Sequence, residues 1–390
     1  IDAVISNVEA SDDATVIIGE TLASYATPVK FDIADDISNV IGSVLQTNGN
    51  FGDVRDIIIN DTSNMAQGIQ IIEGSNTGTI DVNVDDTAGA ILNELTEVSG
   101  GTNLDELSSL TVTAGVVDVS SADDLQDITS YDASGSSYTV SDTAGAILGD
   151  TATVIDDGVS HINVAGPVGA GVGVQLGVLE DASFETGYSA DINFNVVDDA
   201  NDITAALSGD TTGAMDNAAS MIVSGGTATV TDAADIQGVA EYDSGASSYT
   251  ITDSADAVLT ASNESTILND GVSGVVVTDA TGAGYVDASD GEALSELEGL
   301  LQTATNDSSA DIEFRVEDDA AAIAAVLNGD RDALDGANDL DVTSGTTNMA
   351  GAADIQSSGA YDASGSSYTV SDTAGAILGD TATVIDDGVS

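Results

Sequence analysis

Thirty consecutive residues, YDASGSSYTVSDTAGAILGDTATVIDDGVS, stand at 131–160 and return without a change at 361–390. A looser version, YDSGASSYTITDSADAVLTASNESTILNDGVS, occupies 242–273. Copies that share turn residues and hydrophobic pattern share their local preferences, so the chain reads as an array of small units rather than one irregular domain.

One aspartate sets the phase of the array: Asp35, Asp86, Asp142, Asp198, Asp253, Asp318 and Asp372, spaced 51, 56, 56, 55, 65 and 54 residues apart. Each follows a short alternating segment, such as Val29-x-Phe31-x-Ile33, Ile80-x-Val82-x-Val84, Ile192-x-Phe194-x-Val196 or Ile312-x-Phe314-x-Val316. Side chains two apart share a face, which is the pattern of a half-buried strand. Two positions after the Asp comes Ala in six of the seven units, and five positions after comes Val40, Ile91, Ile147, Ile203, Val258, Ile323 or Ile377. Val44, Leu95, Leu207 and Leu327 add the ninth position, and steps of three and four lay these residues along one helical stripe. The spacing therefore predicts a helix after each Asp, with the Asp as its N-cap. Period two then returns at Ile57-Ile59, Leu110-Val112, Ile162-Val164, Val275-Val277 and Leu340-Val342. Asp157-Gly158 and Asp270-Gly271 precede two of these strands, where Gly suits a left-handed C-cap or a tight turn.

The expected fold is an α/β repeat protein of tandem strand–helix–strand units stacked as a solenoid or rod, with an all-β solenoid or β-sandwich array as the alternative. The units run 29–79, 80–130, 131–190, 191–241, 242–310 and 311–360, with a partial preceding unit at 1–28 and a truncated one at 361–390. A unit of about 55 residues buries too little apolar surface to stand alone, and stacking completes its core. The opening IDAVISNVEA, without Met or a basic segment, and the break after a partial unit are expected of a piece of a longer repetitive chain.

Charge narrows the partners. The chain has 68 acidic residues against three Arg and one Lys, a formal charge of -64, which repels nucleic acid and anionic lipid. Cysteine is absent, so no disulfide or thiolate chemistry is available. The most apolar Gly-rich run, GPVGAGVGVQLGVL at 166–179, is too short to span a bilayer and reads as a loop or irregular strand. No membrane insertion is expected.

The phrases YTVSDTAGAIL and ITDSADAVL, each followed by a DGVS return strand, resemble the VTDTAANI-type repeats of very large bacterial and archaeal surface proteins, including giant adhesins, biofilm-associated proteins and surface-layer proteins. That resemblance covers most of 29–390 and implies an exported, repetitive structural protein, often calcium-dependent, at the cell surface. The GGxGxDxUx nonapeptide of calcium β-rolls is absent from this sequence.

The residues suggest no enzyme. His161 is the single histidine and falls in a strand pattern, and no P-loop, HExxH or CxxC motif occurs. Asp243-Ser244-Gly245 has the D-[ST]-G form of an aspartic protease loop, but the other two copies read DASG, as a turn would. With one lysine, Lys30, isopeptide staples cannot recur in every unit. Clustered aspartates supply the oxygens that calcium takes in flexible geometry. The candidate ligands are Asp156 and Asp157, Asn269 and Asp270, and Asp386 and Asp387, all in [DN]DG, followed by Asp198-Asp199 and Asp318-Asp319. The expected function is an extracellular filament, sheath or surface lattice that self-associates and is stabilised by divalent cations. The alternative is the stalk of an adhesin whose glycan- or cell-binding tip lies elsewhere.

Overall fold

The computed structural model describes residues 8–9, 13–24, 29–43, 54–74, 78–97, 104–185, 191–278, 284–328, 330, 332–386 and 388–390. It is a mixed α/β structure with 41% helix and 28% strand in several small parallel sheets, with no closed barrel among the described residues. Every strand pairing in it is parallel. Parallel neighbours need a crossover, and here a helical segment supplies it between successive strands.

The chain divides into two compact units. The first comprises Ile1–Gly166 with Gln175–Phe194. In it, strands Val8–Glu9, Val29–Asp35, Val54–Ile59 and Ile80–Asp81 form one sheet in that order. Asn83–Thr87 pairs with Ser109–Ala114, and Val116–Val117, Tyr138–Asp142, Val159–Val164 and Asp191–Asn193 form a third sheet, again in chain order. The second unit comprises Pro167–Val174 with Asn195–Ser390. Its longest sheet runs Thr227–Ala228, Tyr249–Ser254, Val272–Thr278, Asp311–Glu313, and a second runs Tyr285–Val286, Arg315–Asp319, Asp339–Ser344. Pairs Asn195–Asp198 with Ser220–Val223 and Thr346–Thr347 with Thr369–Val370 complete it.

All seven helices expected from the aspartate phase are present, and each begins two residues after its Asp: Ile37–Val40, Ala88–Glu97, Ala144–Gly149, Ala200–Gly209, Ala255–Val258, Ala320–Val326 and Ala374–Gly379. The fifth-position aliphatics point inward: Val40, Ile91, Ile147, Ile203 and Ile323 are fully buried and Val258 nearly so. Ninth-position Leu327 is buried too, while Leu95 and Leu207 are half-buried and Val44 lies outside the described residues.

A second set of helices is not legible in the phase: Val16–Ala23, Met65–Ile72, Val119–Gln126, Ala170–Glu185, Val230–Gly238, Ala288–Thr305 and Met349–Ser357. These helices lie beyond the return strands, so one 51–65 residue unit contains two strand–helix segments. Ala170–Glu185 corrects the expectation of a loop or irregular strand at 166–179. Its glycines lower helix propensity, but Gly173, Leu176, Gly177 and Glu180 fall on one buried stripe at helical spacing.

Candidate functional site

The phase aspartate does not cap its own helix. The N-cap is the next residue, and except at Asp36 its side chain accepts from the helix's own first turn, as Thr143 Oγ1 does from Ala146 N–H, Asp199 Oδ1 from Asp202 N–H, Ser254 Oγ from Ala257 N–H and Asp319 Oδ1 from Ala322 N–H. The phase Asp bridges two successive strand–helix segments instead. Its Oδ2 accepts the first helical N–H of the preceding segment: Val16 to Asp35 (3.0 Å), Met65 to Asp86 (2.9 Å), Val119 to Asp142 (3.1 Å), Ala170 to Asp198 (2.9 Å), Val230 to Asp253 (3.1 Å), Ala288 to Asp318 (3.1 Å) and Met349 to Asp372 (3.1 Å). Its Oδ1 accepts the N–H of the following residue in all seven, at 2.6–3.0 Å. A carboxylate is the group that can accept on both oxygens, and it sits at the positive end of the preceding helix. The Asn39 side chain, with the Val16 and Asp36 N–H groups, holds the Asp35 carboxyl below its usual range. The Thr373 and Met349 N–H groups do the same for Asp372.

Two further bridges recur in the three related copies. Gln126 Nε2 donates to Tyr138 Oη (2.8 Å) and to the Thr153 carbonyl (2.9 Å), and Gln237 with Tyr249 and Thr266, and Gln356 with Tyr368 and Thr383, repeat this within 0.1 Å. The Ser136 hydroxyl accepts from Val112 N–H and donates to the Asp132 carbonyl, and Ser247 and Ser366 do likewise. Tyr138, Tyr249 and Tyr368 are each 1% exposed, and burial raises their phenol pKa.

The [DN]DG residues belong to this scaffold. Asp156 Oδ1 accepts from Tyr131 Oη (2.6 Å) and Gly158 N–H (2.9 Å), Asp386 Oδ1 from Tyr361 Oη (2.7 Å) and Gly388 N–H (3.0 Å). Asn269 Oδ1 makes the same pair of bonds with Tyr242 Oη and Gly271 N–H, so the position works with a neutral amide. The following glycine is required for a reason other than a left-handed turn. None of Gly158, Gly271 and Gly388 has positive φ, and a Cβ on each would run into the tyrosine hydroxyl. Asp157 and Asp270 are exposed, and Asp387 lies outside the described residues. Asp318 is a bridge residue, and Asp319 caps its helix through Ala321 and Ala322 N–H.

Among the described residues, two groups of three acids could hold a metal ion, each offering oxygens within 4.8 Å of one another. One contains the expected Asp198 and Asp199 together with Asp202, whose carboxyl is pushed up by the charges of the other two. The other, Asp339, Asp341 and Asp362, is not among the residues expected from the sequence. Burial and then the charges of Asp339, Asp362 and Glu317 push Asp341 up, with Arg315 opposing. Its signal was available: Asp339 and Asp341 are two apart on one strand and share a face, and the corresponding positions of the earlier copies, Ser109 and Thr111, and Ser220 and Ile222, carry no charge.

His161 is exposed on its strand, with Nδ1 3.2 Å from its neighbour Ser160 Oγ. Asp243 in the DSG phrase accepts the Ala246 N–H through Oδ1 (3.2 Å), which is a turn. No helix among the described residues is long and apolar enough to cross a membrane. Compared with known families and curated proteins, the chain matches no family model and no sequence.

Proposed function

We propose that this chain is a nonenzymatic structural element of an extracellular filament, sheath or cell-surface lattice, built as a stack of acidic strand–helix segments and stabilised by cations. The observation that carries the reading is the bridge aspartate, repeated at all seven phase positions with both oxygens engaged. A residue that recurs in order to join one segment to the next serves the continuity of the array. The tyrosine–glutamine and serine bridges add to the same end, and side chains that recur in every copy give an array its uniformity.

Cations enter because four basic residues offset only four of the 68 acidic ones, leaving a net charge of -64. At ordinary ionic strength the Debye length is about 8 Å, so neighbouring surface carboxylates still repel. Divalent ions at Asp198–Asp199–Asp202 and Asp339–Asp341–Asp362, with monovalent salt elsewhere, relieve that repulsion.

Small-angle scattering and electron microscopy of the purified protein test the stack: an elongated particle with a repeating cross-section is expected, and a compact spherical one overturns it. Thermal unfolding after chelation, restored with millimolar calcium or with molar sodium chloride, separates bound ions from screening. Indifference to both removes the cation role.

A further inference from the structure

From residue 119 onward, each helix of the second set is joined to the start of the next strand by one side chain, and two chemistries alternate. Gln126 of helix Val119–Gln126 donates to Tyr138, the first residue of strand Tyr138–Asp142, and Gln237 of Val230–Gly238 to Tyr249, the first residue of Tyr249–Ser254. Gln356 of Met349–Ser357 does the same with Tyr368, beside strand Thr369–Val370. Between these, Glu180 of helix Ala170–Glu185 lies against the carboxyl of Asp191, the first residue of strand Asp191–Asn193, and against the N–H of Ile192. Glu298 of Ala288–Thr305 lies in the same way against Asp311, the first residue of Asp311–Glu313, and the N–H of Ile312. Each glutamate stands ten residues after the first residue of its helix. The order from Gln126 to Gln356 is amide, acid, amide, acid, amide.

The acid joints are closed to water on the glutamate side. Glu180 is buried. Glu298 Oε1 accepts from Gln302 Nε2 (2.9 Å), whose other N–H reaches the Ala310 carbonyl (3.1 Å), so this carboxyl is tied to the residue before its strand. Its Oε2 is enclosed without a hydrogen-bond partner among the described residues, and a Cβ on Gly336 would stand 2.6 Å from it. The charged groups that face Glu180 are Asp191 from the strand and Asp181 from its own helix, with His161 opposite Asp191 in the sheet register. The one that faces Glu298 is Asp311. A buried carboxyl beside a second carboxyl, with no described Lys or Arg facing it, holds a proton rather than a charge.

We infer that Glu180–Asp191 and Glu298–Asp311 are proton-operated joints: while the glutamate keeps its proton they fasten helix to strand, and when the proton passes to water the helix end and strand start part locally, the glutamine joints between them staying closed. Burial, and then the Asp191 charge, raises the Glu180 carboxyl to about 7, and burial with Asp311 raises that of Glu298. The unfolded value is near 4.3, so opening at Glu180 becomes up to about tenfold easier per pH unit between 4.3 and 7 and levels off above. The amide of a glutamine joint has no proton to lose in that range, and burial raises the phenols beside it above their ordinary value.

Native-state hydrogen exchange of the full 390-residue protein reads each joint separately. With chelator and molar sodium chloride present throughout, screened surface repulsion contributes little to the pH dependence. From pH 5 to 7.5 the protection factors of the Ile192, Asn193, Ile312 and Glu313 amides are expected to fall at least tenfold, and those of Val140 and Ile251 to change less than threefold. Glu180→Gln is expected to flatten the response at Ile192 and Asn193 and leave it at Ile312, with Glu298→Gln doing the reverse. His161→Gln, which removes the other group titrating near this range on that sheet, is expected to leave both. Asp191→Asn is a second variant at the first joint and is expected to weaken its response. An equal fall at amide and acid joints, no fall at either, or an unchanged response in Glu180→Gln overturns the inference. The joints lie inside the compact units, so the particle shape seen by scattering bears on the stack and not on them.

Discussion

Residues 131–160 and 361–390 carry the same thirty side chains in different surroundings, and the molecule is its own control. The tyrosine and glutamine bridges are alike in the two: Tyr131 to Asp156 is 2.6 Å and Tyr361 to Asp386 2.7 Å, and the glutamine reaches its tyrosine at 2.8 Å in each. The caps agree as well, Thr143 and Thr373 each accepting at 3.3 Å. Burial and strand length do not agree. Ile147 and Val154 are fully buried, whereas Ile377 and Val384 are half-buried, and the strand shrinks from five residues to two. Turns, caps and side-chain bridges therefore belong to the block. Burial and strand length belong to the elements packed against it.

The largest expected effect tests that division directly. Ile147→Ala opens a cavity in a closed site and is expected to cost about 3 kcal/mol in chemical denaturation, within the range of roughly 2–5 for such truncations. Ile377→Ala, the same change in a half-open site, is expected to cost about 1 kcal/mol or less. Equal losses would mean that the second block is covered in solution.

Next comes the bridge aspartate. Asp142→Asn leaves one oxygen where two are needed and turns an amide donor toward an N–H, with an expected loss of about 1–2 kcal/mol. Asp372→Asn should lose less, since its surroundings are open to water. If Asp142→Asn is silent in thermal unfolding, the bridge is incidental.

Acidification should separate the helix beside the first block from the bridge aspartates Asp35 and Asp372. Glu180, on the helix C-terminal to the first block, is 6% exposed, and burial together with Asp191 raises its carboxyl to about 7. An acid whose folded value lies above its unfolded value binds protons on folding, so this contribution grows as pH falls from about 8 and is complete below the unfolded value near 4.3. Glu298, raised by burial and Asp311, acts in the same direction. Asp35 and Asp372 act oppositely: their lowered values stabilise above the ordinary carboxylate range and are lost below it. Thermal stability should rise from pH 8 to about 5 and fall below about 4, and Glu180→Gln should flatten the upper slope. An unchanged upper slope would remove Glu180 as its source.

The smallest expected effect is at the [DN]DG phrase. Since Asn269 already makes the bonds of its aspartate counterparts, Asp156→Asn and Asp386→Asn should each change stability by less than about 0.5 kcal/mol, with no dependence on calcium. A calcium-dependent loss larger than that would assign these residues to an ion.

The phase is legible because Asp35 and its equivalents are tied to helix starts at a constant offset, and the inward fifth position follows from helical geometry. The second helix of each unit is less so: it has ordinary local N-caps at Asn64, Asp118, Thr229, Asp287 and Asn348, but their type changes from unit to unit, and the constant partner of its first N–H is an aspartate of the next segment. Met65 and Asp86 are 21 residues apart, and a window scanned for caps does not reach that far. The Gly-rich helix at Ala170–Glu185 escapes for the same reason, its partner Asp198 lying 28 residues on. The acid group at Asp339, Asp341 and Asp362 joins two segments and is invisible to a search for adjacent pairs.

By itself the sequence determined the repeat, the strand faces, seven helix starts and the acidic surface, because these depend on spacing along the chain and on composition. Only the tertiary structure decided that the phase aspartate joins neighbouring segments, that a glycine is kept clear for a tyrosine hydroxyl, and how much of a block is buried. Those are properties of residues brought together across a parallel crossover, and the letters of one block do not contain its neighbour.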